Sequence, residues 1–73
     1  MMDYAAANAA NRRFKSALTR AKNKRDYDKV IAVVAEFHAF FAARHWPLPD
    51  NWATFEVAKE DAEHTKRMTS GRW

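Results

Sequence analysis

Three histidines, His38, His45 and His64, are the side chains here that can exchange a proton or ligate a metal near neutral pH. His38 and His45 are seven residues apart. On one helix that spacing is two turns, roughly 10 Å, which is too wide for two imidazoles to share a zinc ion. His64 would have to arrive from another helix, and neither a cysteine nor an HExxH pair is present to complete a ligand set. No metal site is therefore expected. Nucleophilic and phosphoryl chemistry also lack their parts. There is no GxSxG turn and no Gly-rich phosphate loop, and the sequence holds a single glycine, Gly71. The carboxylates of Glu60 and Asp61 are consecutive, so on a helix they diverge. A chain this short also has little room for a pocket of roughly 300 Å³ or more. The expectation is a protein that is not an enzyme, with no metal, no cofactor and no small-molecule substrate.

Charge is the second chemistry available. Residues 1–25 hold seven Lys or Arg against one acid, Asp3, a net of +6; residues 26–49 and 50–73 are each −1, which returns the +4 of the whole chain. Arg12, Arg13, Lys15, Arg20 and Lys24 can neutralise phosphates along a nucleic-acid backbone, with Ser16, Thr19 and Asn23 as neutral donors between them. The pattern matches no named reader such as a zinc finger or homeodomain. A different set of residues points to a protein partner or to self-association. Ala32, Ala35, Ala39 and Ala43 form a ridge that a neighbouring helix can approach closely, and Trp73, Val57 and Met68 are available as anchors. Protein binding heads these two readings and nucleic-acid binding follows, with DNA and RNA left open.

These residues need a helical scaffold, and the composition provides one. At 48% hydrophobic residues with three Trp, five Phe and two Tyr, the chain can offset its ordering entropy by burial. One Gly and two Pro among many Ala, Lys, Arg and Glu favour helices, and no hairpin dipeptide occurs between alternating segments. The densest apolar run is Val30 to Trp46. At about 100° per residue, Tyr27, Val30, Ile31, Val34, Phe37, Phe41 and His45 share one face, with Val33 and Phe40 on its edge. The opposite side is the alanine ridge with the single charge Glu36, so this helix is expected to be buried from more than one direction.

The spacing predicts a first helix over residues 4–24, with a narrow stripe of Ala7, Ala10, Phe14, Ala17, Leu18 and Ala21. Asp26 is the expected N-cap of the central helix, with Asp28 near its positive end and Lys22, Lys24 and Arg25 closing the helix before it. The central helix is predicted over 27–45, stopped by Pro47. WPLPD then forms a stiff connector. A third helix is predicted over 50–69, opened by Asp50 as N-cap or by Pro49 as first residue, with residues 70–73 as a tail. Its inner face is Trp52, Phe55, Ala58, Ala62, Thr65 and Thr69, and Lys59–Glu63 and Glu63–Arg67 are spaced as ion pairs. The reading is an all-α, antiparallel three-helix bundle forming one domain over residues 1–73, with Phe14, Leu18, Val30, Val34, Phe37, Phe41, Trp52 and Phe55 as core. A single core of this size is marginal and there is no cysteine for a disulfide, so tight helix packing is expected, together with a protein partner or a homodimer. Asn8, Asn11 and the arginines interrupt any signal-peptide run, and Glu36, His38 and Arg44 interrupt the best membrane candidate, so the expectation is a soluble intracellular protein.

Residues 47–63, PLPDNWATFEVAKEDAE, carry a Pro-Asp segment, then Trp, an aromatic three residues later, an Ala and an Asp-Ala pair, at Pro49, Asp50, Trp52, Phe55, Ala58 and Asp61-Ala62. In this the chain resembles small uncharacterised proteins of actinobacterial phages (mycobacteriophage-like), and NRRFKSALTRAKNKRDYDKV has the same flavour. Phe55 departs from the second Trp that is frequent there. The resemblance implies a phage or prophage origin, the cytoplasm of a bacterial host and a role in binding a host or phage macromolecule; it brings no catalytic or binding residues with it.

Overall fold

The computed structural model of the protein describes residues 3–70. It is an all-α three-helix bundle: α1 Tyr4–Asn23, α2 Tyr27–Ala43 and α3 Trp52–Ser70. The predicted tail at Gly71, Arg72 and Trp73 lies outside the described residues.

α1 begins where the sequence allows it to. Asp3 is extended and its carboxylate accepts from the Ala6 amide at 3.1 Å, an N-cap that satisfies one of the helix's free donors. The helix ends through paired bonds. The Arg25 amide donates to the Lys22 carbonyl at 3.0 Å and the Asp26 amide to the Ala21 carbonyl at 3.0 Å. Arg25 between them has a left-handed backbone, φ 55°. This is a Schellman motif with arginine at the position that glycine usually fills. Asp26 then turns at once into α2, its carboxylate accepting from the Lys29 amide at 3.1 Å, as expected.

α2 ends in the same way, and earlier than Pro47 alone would require. His45 donates to the Ala42 carbonyl at 3.1 Å, Trp46 donates to the Phe41 carbonyl at 3.0 Å, and His45 is left-handed at φ 55°. The helix therefore stops at Ala43, two residues before the predicted His45, and His45 leaves the buried face for solvent. The turn folds the Trp46 indole back over Phe40 and Phe41, at ring-centroid distances of 6.1 and 6.3 Å. Arg44 adds its guanidinium above the Phe40 ring at 3.7 Å and donates to the Phe40 carbonyl at 3.1 Å.

α3 starts two residues later than predicted. The Trp52 amide bonds the Pro49 carbonyl at 3.0 Å and the Thr54 amide the Asn51 carbonyl at 3.1 Å, so Asp50 and Asn51 form a turn and neither Asp50 nor Pro49 opens the helix. Helix continues through Ser70, one residue past the predicted end.

α2 is the middle of the bundle, packing on α1 along one flank and on α3 along the other. Phe37 and Phe55 stack face to face with centroids 3.9 Å apart, and Phe14 reaches across from α1 to Phe37 and Phe40 at 5.8 and 5.7 Å. Phe37, Phe41, Phe55, Val33 and Val34 are fully enclosed. Alanines at 7, 10, 21, 58 and 62 are buried with them, which lets the helices approach closely. The expected core holds at Leu18, Val30, Val34, Phe37, Phe41 and Phe55; Phe14 is half-buried against it. Trp52 is a correction, being 47% exposed. It is the first residue of α3 and stands at the edge of the stripe buried there, Phe55, Ala58 and Ala62, about 90° round the helix from its centre.

Two cross-helix contacts join α2 to α3, a hydrogen bond between His38 and Glu56 and an ion pair of Asp28 with Lys66. The predicted pairs within α3, Lys59–Glu63 and Glu63–Arg67, do not close among the described residues; Lys66 reaches across to α2 instead. The Asp28–Lys66 pair is exposed and is worth about 0–1 kcal/mol, whereas His38 and Glu56 are both half-buried. The expected burial of α2 from more than one direction is met, by α1 on one flank and α3 on the other. Ala32, Ala35, Ala39 and Ala43 all face solvent.

Candidate nucleic-acid interface

α1 packs inward through alanine, Leu18 and Phe14, and that narrow stripe leaves most of its circumference open. The open arc is where the bases fall. Arg12, Arg13, Lys15, Arg20, Lys22 and Lys24 are all exposed, as is Arg25 in the turn. Between Tyr4 and Arg25 there is no acidic residue. Among the described residues none of these bases forms a salt bridge, the cross-helix pairs of the fold being at the α2–α3 seam. The five bases singled out from the sequence are thus on one continuous surface, with Ser16, Thr19 and Asn23 exposed among them.

The fold adds a base that the sequence reading did not include. The α1–α2 turn is as short as two capped helices allow, and the antiparallel return sets the first turn of α2 beside the last turn of α1. Arg20 and Lys24 therefore line one shallow groove with Lys29 of α2, over a floor of Ala17 and Ala21 and beside Asp26. The signal for Lys29 was its place three residues after the predicted cap, which any antiparallel hairpin brings level with Arg20 and Lys24. On the other flank Lys22 faces Ala53, Val57 and Asp61 of α3. Here a base of α1 and an acid of α3 are neighbours, with no ion pair closed among the described residues.

The residues considered for a protein interface lie elsewhere. Ala32, Ala35, Ala39 and Ala43 line the solvent side of α2, away from both neighbours. Val57 and Met68 are exposed at 55% and 61%, while Trp73 lies outside the described residues. The alanine ridge and the basic face do not meet in one site. Among the described residues no group of three or more His, Asp or Glu is placed to hold a metal ion, and His38, the most enclosed of the three histidines, is paired with Glu56. Nor, among those residues, is any helix long and apolar enough to cross a membrane.

No family model, curated protein or solved structure matches the chain.

Proposed function

We propose that the protein is a non-enzymatic binding protein whose partner is nucleic acid, held through the outer face of α1. The observation that carries this reading is that the bases of α1 stand exposed on one helix without a carboxylate partner among the described residues. A solubilising surface usually mixes signs, and intramolecular pairing would have consumed some of the charge. Here the charge is concentrated, uniform in sign and available to phosphates. This moves nucleic acid ahead of the protein partner that the sequence placed first. The likeness of residues 47–63 to phage proteins supports a phage or prophage setting inside a bacterial cell, where nucleic acid is the abundant polyanion.

The test is fluorescence anisotropy with labelled random duplex DNA and single-stranded RNA at about 50 and 200 mM salt. A protein making six or more phosphate contacts loses about a thousandfold in duplex affinity between those salts. Charge reversal by Arg12→Glu, Arg13→Glu and Arg20→Glu together should abolish binding while the far-ultraviolet spectrum stays helical. Absence of binding to either polymer at the lower salt would defeat the reading.

One observation favours a second reading, a protein partner or a second copy of the chain on the outer face of α2. Four alanines at helical spacing are exposed there, and a closely packed helix would cover them with little loss of side-chain freedom.

A further inference from the structure

The exposed surface of α1 is sorted into rows. Along its middle run Arg12, Ser16, Thr19 and Asn23, spaced four, three and four, which at about 100° per residue keeps them on one line facing away from the bundle. On the side toward α3 lies Lys22, with Lys15 on its row at a spacing of seven; on the side toward α2 lie Arg20 and Lys24, continued by Lys29, with Arg13 on their row at a spacing of seven from Arg20. The middle row is short and mostly neutral, and the bases sit in the flanking rows. A helix that only rested on a phosphate backbone would gain most from bases at its centre. A helix lying in a groove, with a strand on either side, needs them at its margins.

We propose, building on the nucleic-acid reading, that α1 lies in the major groove of B-form duplex DNA, its middle row against the base edges and its flanking rows against the phosphates of the two strands. The major groove is about 12 Å wide and admits one α-helix. Arg12 to Asn23 rises about 16 Å along the helix axis, enough to read roughly four or five base pairs. The side chains suit base edges: Arg12 forms a bidentate pair with guanine, Asn23 with adenine, and Ser16 and Thr19 donate or accept beside either. The flanks are unequal. Asp61 stands by Lys22 on the α3 side, whereas on the α2 side three bases, Arg20, Lys24 and Lys29, share a groove with one acid, Asp26, which makes the latter the stronger phosphate contact. A-form RNA is excluded as the fitting ligand because its major groove is too deep and narrow for side chains to read.

The experiment is selection of duplexes from a random pool, followed by anisotropy on the selected duplex, a scrambled duplex, its single strand and an RNA duplex of the same sequence. The selected duplex should bind at least about tenfold tighter than the scrambled one. Arg12→Ala or Asn23→Ala should remove that preference and leave the salt slope nearly unchanged. Lys24→Ala or Lys29→Ala should weaken all duplexes alike and reduce the slope by about one each, more than Lys22→Ala does. All these positions are exposed and alanine is the best helix former, so the variants remain folded. Duplex binding with no sequence preference, or equal binding of single strand or RNA duplex, overturns groove insertion and leaves the nucleic-acid reading standing. No binding to any of the four ligands overturns both.

Discussion

At the scale of single residues, the core rests on aromatic rings whose replacement leaves holes that cannot close. Phe37 touches Phe14, Phe41 and Phe55 and is wholly enclosed. Phe37→Ala or Phe55→Ala is expected to cost about 3–5 kcal/mol, a large share of the stability of so small a domain. Trp52→Ala should cost less than Phe55→Ala although tryptophan is the larger side chain, because nearly half of it already faces water. Urea melts of the two variants give the comparison, and the reverse order would mean that Trp52 is buried. The sequence made Trp52 and Phe55 look equivalent, three residues apart on one stripe. What separates them is where the buried stripe of α3 is centred: it runs through Phe55, Ala58 and Ala62, which leaves Trp52 at its edge.

At the scale of elements, each of the first two helices stops on a side-chain-bearing residue in left-handed backbone, Arg25 and His45. A residue with a Cβ is strained there and glycine is not, so Arg25→Gly and His45→Gly are each expected to raise stability by about 0.5–1 kcal/mol. The readout is a higher urea midpoint at unchanged slope; a loss of stability would show that the side chains contribute more than the backbone costs. The existence and order of the three helices were legible in the sequence because apolar spacing and the Asp26 cap act locally. Helix ends were less so. Prolines at 47 and 49 drew attention as the stop and start signals, while the bonds that set the ends are the Trp46–Phe41 closure and the Pro49–Trp52 turn. The cross-helix pairs of His38 and Lys66 were likewise out of reach, since they depend on the register of α2 against α3. The basic face of α1 was legible almost whole, because one helix carries it; Lys29 was missed because it comes from the next.

At the scale of the whole molecule, the outer alanines of α2 and the basic side of α1 make separate surfaces, and the state of assembly can be tested apart from any ligand. If the second reading holds, sedimentation should show a mass rising from 8.5 kDa toward twice that value with concentration, and Ala35→Glu with Ala39→Glu should return it to the monomer. A mass that stays at the monomer value throughout removes self-association. The uneven placement of charge has a kinetic consequence of its own. With +6 on residues 1–25, which include α1, and −1 on each of the two segments that follow, the protein is an electric dipole with its positive pole on one long side. Approaching a polyanion, it experiences a torque that turns α1 forward before any atom touches. Encounters then begin already aligned, and the advantage fades once dissolved ions shorten the reach of the field to about 8 Å at physiological strength.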